Sequence, residues 1–199
     1  MLFKLVKQQW IKLAFKFGYS EKNIMKNIRP FKNIMPTIGE KSYIDEAACV
    51  IGDVVIGNDS SVWPMAAIRG DVNFIRIGDR TNIQDGSVLH VTHEGPLSPQ
   101  GNALVIGSDV TIGHGAVIHA CTIEDECLIG MGSVILDGAI IKKGAMVGAG
   151  SVVSPGKELA GGYLYVGTPA RQARELNQKE KDFLLYSSQH YVKLKDEYL

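Results

Sequence analysis

From Ile44 onward the chain repeats an apolar residue every six positions. The series runs Ile44, Val50, Ile56, Val62, Ile68 and Phe74, resets to Ile77, Ile83 and Leu89, and resumes at Ile106, Ile112 and Ile118. It slips by one to Ile123 and continues through Ile129, Ile135, Ile141, Val147 and Val153 to Leu159. All 19 positions are apolar, where an apolar content of 45% would give fewer than nine. Four places after the apolar residue the side chain is small, as at Ala48, Ser60, Ala66, Ser87, Ala116, Ser133, Ala139, Ala145 and Ser151. A period of six fits neither a helix nor a hairpin sheet. It fits short parallel rungs, three to a coil, each sending one aliphatic side chain inward with small residues at the corners. The predicted fold is therefore mainly β, a parallel β-helix.

The interruptions predict loops. The step from Leu89 to Ile106 leaves eleven extra residues, Thr92–Asn102, and the step from Ile68 to Ile77 leaves three. After Leu159 the pattern stops. Gly161-Gly162 and Gly167-Thr168-Pro169-Ala170-Arg171 read as a turn out of the coil. Residues 173–197 are predicted helical, with Phe183, Leu184, Tyr191, Leu194 and Tyr198 packing inward. Near the start, Leu2, Phe3, Val6, Trp10, Leu13, Ala14 and Phe17 recur at helical spacing, with lysines between them and Gly18 as a stop. The division is an N-terminal arm at 1–35, the β-helix at 36–168 and a C-terminal helix at 169–199. Coils need capped ends, and the two helices are the natural caps.

Charge changes the picture only at the arm. The chain is formally neutral, with 21 basic and 21 acidic residues, but residues 1–35 hold eight basic groups and one acid. A basic amphipathic helix packs on its own body or a neighbouring subunit, or lies on an anionic membrane surface. Base-stacking motifs are not interleaved with it, which argues against nucleic acid. No apolar run approaches a spanning helix. Cys49, Cys121 and Cys127 are too few for a disulfide framework and sit near corners as small packing residues, so a cytoplasmic setting is expected.

Stacking the coils aligns the residues that carry chemistry. With the insertions looped out, Ile68, Leu89 and Ile118 share a face, and Arg69, His90 and His119 come next in the chain as one outward column. Strands in such a stack lie about 4.8 Å apart, so His90 and His119 are neighbours. On the next face Asp85 stands beside His114. Imidazole is the usual zinc ligand, and two stacked histidines supply two ligands. His114 cannot join them within one prism. A homotrimer, in which one face of a subunit meets another face of the next, brings a third histidine to the pair and leaves one position open, as in catalytic zinc sites.

The motifs Arg69-Gly70-Asp71, Asn82-Ile83-Gln84-Asp85-Gly86-Ser87-Val88-Leu89-His90, and Gly113-His114 with His119 five residues later resemble those of the γ-class carbonic anhydrase-like family, closest to its small bacterial branch. The resemblance runs from about Arg29 to Leu199. It implies a left-handed coil and reversible hydration of carbon dioxide to bicarbonate by hydroxide formed on a metal ion shared between subunits. It further implies that His90 and His119 bind the metal from one subunit and His114 from its neighbour. Arg69 and Asp71 are implied to pair across the subunit boundary, Gln84 to hold the hydroxide, Asn82 to hold carbon dioxide or bicarbonate, and Asp85 to stand behind His114. Tyr191 is the expected pocket tyrosine. Zinc is the expected ion, with Fe2+ and Co2+ also suited to three imidazoles.

The chain departs from the family pattern in the inserted loop, where archetypes carry an acidic run and a glutamate that shuttles protons. Here Thr92–Asn102 holds one acid, Glu94, beside His93, which is the expected substitute shuttle. In the tail, Gln189 and His190 stand where relatives tend to carry asparagine, and residues 1–25 fall outside the family pattern. Two other readings share the fold: a metal-binding hexapeptide protein with little or no turnover, and an acyl- or CoA-linked enzyme. The second needs one catalytic histidine and a pantetheine groove rather than three metal-spaced histidines.

Overall fold

The computed structural model describes residues 27–96 and 98–199. The helical spacing at Leu2–Phe17 lies outside the described residues. From Ile28 the chain winds into a parallel β-helix, and it ends in one C-terminal helix, α1 (Gln178–Asp196). A twelve-stranded and an eight-stranded sheet make the walls of the coil. The larger sheet covers two faces. The strand Ala67–Ile77 pairs with Val88–His90 through its first half and with Leu104–Ile106 through its second, so it turns a corner without leaving the ladder.

Of the 19 repeat positions, 17 are buried, with Ile44 half-buried and packed against the core. The small corner residues, from Ala48 to Ser151, are all buried as well. Each wholly buried aliphatic side chain contributes about 1.5–3 kcal/mol relative to exposure. Among the described residues, no buried side-chain nitrogen or oxygen lacks a partner. Corners require left-handed backbone. Gly86 and Gly115 stack at one such corner with φ of +68° and +66°, a region that favours glycine. Gly130 has a different reason: a Cβ there would come within 2.4 Å of the Ala149 nitrogen in the next coil.

The coil and its exit differ from the expectation in four places. Phe74 is exposed, and Ile75 takes the inward position, paired with Val54 and Leu104. The three extra residues form a bulge in which Gly52 pairs with Gly70 and Val54 already with Ile75, so the inward position falls one residue later. The coil starts before residue 36, because Ile28 already pairs with Val50. A further rung, Tyr163–Val166, adds to Met146–Val147 and then folds back as a hairpin on Arg171–Glu175. The helix consequently begins at Gln178 rather than at 173, where Asn177 accepts from the Glu180 amide and the Glu180 side chain accepts from the Asn177 amide.

Helix α1 lies along the eight-stranded sheet with Leu184, Ser187 and Ser188 buried beneath it. Its end rests on an aromatic cluster, Tyr198 against Trp63 at 5.3 Å and against Tyr43 at 5.4 Å. Phe183, expected inward, is exposed, because burial falls on the stripe through Leu184 and Ser188. Lys195 is fully buried and ion-paired with Asp59 at 3.3 Å and Asp196 at 2.6 Å, which ties the helix end to the coil. No helix among the described residues is long and apolar enough to cross a membrane.

Candidate metal centre

The register places the histidines as the columns require. His119 pairs with His90, Ile118 with Leu89, and Leu89 with Ile68, so Arg69 begins the same outward row. The insertion closes on itself through a bridge between Thr92 and Asn102, which keeps the ladder intact on either side. Each histidine of the set faces a carboxyl group. His90 Nε2 stands 3.0 Å from Asp71 Oδ1, His119 Nδ1 2.7 Å from Asp137 Oδ1, and His114 Nδ1 2.9 Å from Asp85 Oδ2.

These pairings determine where the protons lie. An ionised carboxylate only accepts, so the facing ring nitrogen carries hydrogen and the other carries a lone pair. Burial works to raise the Asp71 carboxyl, but hydrogen bonds from Arg69 and His90 outweigh it and hold the group below its ordinary range. At Asp137 burial is likewise outweighed, by hydrogen bonds from Thr92 and His119. The consequence is that His90 Nδ1 and His119 Nε2 turn lone pairs toward each other across 3.2 Å. A proton or a cation must lie between them. Two ligands at about 2.0–2.1 Å on a tetrahedral ion stand about 3.3–3.4 Å apart, so the pair has the spacing of two metal ligands. The donor set therefore fits a divalent transition ion. Within one chain the set stays incomplete: among the described residues, no three His, Cys, Asp or Glu groups come together as a metal site. His114 is in the turn after Thr111–Ile112, a strand of the other sheet.

Arg69 and Asp71 pair with each other, both pointing outward from one strand at i and i+2. Gln84 and Asn82 are buried. The Gln84 carbonyl accepts from the His114 amide at 3.2 Å, and its amide donates to Asn82 Oδ1 at 3.1 Å. Asn82 in turn donates to Thr111 Oγ1 at 3.0 Å, and Thr111 shares a hydrogen with Ser187 of α1 at 2.9 Å. Asn82 thus holds Gln84 rather than reaching into open space. Gln84 keeps one amide hydrogen uncommitted among the described residues.

Gln84 and His114 open on a groove of about 480 Å3 between the eight-stranded sheet and α1, walled by Leu128, Met131, Phe183 and Tyr191. Burial first, and Asp85 second, push the Tyr191 phenol up. His190 lines the same groove, edge-on to Tyr191 at 5.9 Å. His93 is exposed in the loop, its Nε2 toward Gly95, and no hydrogen bond among the described residues ties it to the histidine pair. Sequence reasoning missed Asp137, Thr111 and Ser187. Asp137 sits in an Asp-Gly corner of the kind that recurs along the coil, and only the register shows that it stands behind His119.

The "Bacterial transferase hexapeptide (six repeats)" family matches residues 120–155. Protein YrdA of Escherichia coli is 54% identical over 172 residues, covering 86% of this chain and 94% of that protein. A protein of Methanocaldococcus jannaschii named probable carbonic anhydrase is 50% identical, covering 80% and 96%. The chain belongs to the γ carbonic anhydrase-like family. A crystal structure of a Bacillus cereus protein titled putative acetyltransferase superposes with a TM-score of 0.80 at 42% identity, covering 86% of this chain and 95% of that one.

Cys121 and Cys127 are buried and Cys49 half-buried, all three free. Burial pushes the Cys127 thiol up to about 12, which leaves it an inert packing residue.

Proposed function

We propose that this chain catalyses reversible hydration of carbon dioxide as a homotrimer, at a metal site formed by His90 and His119 of one subunit and His114 of the partner subunit. The observation that carries the reading is the approach of His90 Nδ1 to His119 Nε2 at 3.2 Å, with each ring's other nitrogen against a carboxylate. The trimer is supported by the third pair, His114 with Asp85, which presents its free nitrogen on another face. It is supported too by exposed apolar residues on both half-sites, Val88 and Val117 beside the histidine pair and Met131 beside His114.

A divalent ion with an open position brings the pKa of its water to about 7 and so supplies hydroxide at neutral pH. The protein's own residues do the rest. Three neutral imidazoles leave the ion its full charge, and the carboxylates hold each ring by its other nitrogen. Gln84 turns an N–H donor toward the site, which orients an oxygen of bicarbonate, and the Asn82–Thr111–Ser187 chain fixes that amide. The apolar groove suits an uncharged substrate better than its anionic product. Zinc, Fe2+ and Co2+ all suit the set. In this reading Arg69 and Asp71, which pair with each other within one chain, face the neighbouring subunit and order the trimer. A cytoplasmic setting is supported by the three free cysteines.

The test is metal analysis of protein purified with and without oxygen, with carbon dioxide hydration measured on each. Metal near one ion per chain with hydration above the uncatalysed rate supports the reading. Metal without hydration would make this a binding or assembly protein on the same fold. Hydration indifferent to chelation would overturn the site.

A further inference from the structure

Asp137 lies outside the motifs that define the family resemblance, yet it has the closest contact of the three carboxylates to a site histidine. His119 Nδ1 donates to Asp137 Oδ1 at 2.7 Å. Its other oxygen accepts from the hydroxyl of Thr92. Thr92 is the first residue of the inserted loop and makes its closing bridge, with hydrogen bonds to Asn102 of 2.9 and 3.0 Å. Both carboxylate oxygens are therefore committed, one to the ring and one to the neck of the loop. A carboxylate gripped at both ends cannot swing, so it holds the ring to one tautomer and one orientation.

We infer that Asp137 is the positioning residue for His119 and that Thr92, by gripping Asp137, makes metal affinity depend on the loop neck. The inference rests on the reading of His119 as a metal ligand. With Asp137 in place the proton stays on Nδ1 and the lone pair stays on Nε2, facing His90 Nδ1. Without it both tautomers become accessible, and one of them turns an N–H toward the ion. Partners of this kind behind metal-bound histidines typically carry about 10–100-fold in affinity. The coupling is reciprocal: an ion that prefers the held ring also favours the closed neck.

The experiment uses the full chain and Co2+ alone as probe. Wild type, D137A, D137N and T92V are compared for Co2+ affinity by chelator competition, and the tautomer of His119 is read from its ring nitrogen shifts in metal-free protein. Subunit mass and circular dichroism check the fold. D137A should bind about 10–100-fold more weakly and lose the single Nδ1–H tautomer. D137N, which keeps an acceptor oxygen, should recover part of the loss, and T92V should weaken binding in the same direction by less. Affinity for D137A within twofold of wild type, with the tautomer unchanged, overturns the inference. If D137A does not fold, T92V decides by the same two readouts. If wild type takes no Co2+, the metal reading itself fails, and the tautomer measurement alone then decides whether Asp137 positions the ring.

Discussion

Asp71 does two things at once: it accepts from Arg69 and from His90, and its carboxyl is held below its ordinary value of 3.8 although burial opposes this. A carboxyl whose pKa is depressed on folding contributes stability that is present above the unfolded value and lost as pH falls through the folded one. In metal-free protein, Asp71→Asn should therefore weaken the fold at neutral pH and flatten the acid limb of the stability curve below about pH 4. Urea unfolding at a series of pH values checks this, and parallel curves for the two proteins would show that Asp71 is not the titrating group. A second expectation at this scale concerns the proton that leaves the site. His93 is exposed and unattached to the histidine pair, and the loop has a single acid. Proton removal should then limit turnover at low buffer, because the loop offers one exposed histidine and one acid as relay in place of an acidic run. External buffer should raise the steady-state rate, and His93→Ala should lower it several-fold at low buffer but little at high buffer, with metal content unchanged. A buffer-independent rate removes His93 from that role.

Helix α1 supports the site both through the side chains it lends to the groove and through a hydrogen-bond chain that starts at Ser187. It begins one residue after Asn177, whose capping box with Glu180 satisfies donors at both ends of the first turn. Glu180 also takes a bidentate ion pair from Arg174 of the preceding hairpin, at 2.7 Å on each arm. That pair, and then the Asn177 amide, lower the Glu180 carboxyl to about 2. The helix start is thus joined to the last hairpin, and the joint holds until pH falls through about 2. Asn177→Ala should cost about 1 kcal/mol in thermal unfolding. It should also loosen Ser187, and with it the chain through Thr111 and Asn82 to Gln84. An unchanged unfolding midpoint would mean that the Arg174 pair alone fixes the helix start. The element scale is also where legibility from sequence runs out unevenly. The six-residue period shows the rungs from Ile77 to Leu159 because the spacing itself holds between resets, even where the preceding residue is also apolar, as at Leu128-Ile129 and Ile140-Ile141. At Phe74-Ile75 two large apolar residues are adjacent, and only the bulge opposite Gly52 decides which one turns inward. The rung at Tyr163–Val166 is hidden because Tyr165 replaces the aliphatic. The columns of His90, His119, His114 and Asp85 come from counting, but Asp137 does not, because its place behind His119 depends on a corner that the count treats as filler.

At the scale of the whole molecule, the arrangement of half-sites makes a prediction that no single-chain site can share. His90 and His119 stand on strands of one sheet and His114 in the turn that follows a strand of the other, and no three ligating groups meet among the described residues of one chain. If a closed ring of three subunits brings the faces together, each site takes its pair from one subunit and its third ligand from the next. His90→Ala protein and His114→Ala protein should each bind little metal. After subunit exchange at equal amounts, a site is restored wherever a subunit with an intact pair is followed by one with an intact His114. Random mixing gives this at about one quarter of interfaces. The control separates this geometry from any other. His90→Ala mixed with His119→Ala should restore nothing, because the two residues lie on the same half-site and every subunit then lacks one of them. Light scattering should report a trimer for every mixture, and metal content after exchange is the measurement. Recovery in both mixtures, or in neither while exchange is shown to occur, rules out the division of ligands between faces. Recovery in the first alone places His114 across the boundary from the pair.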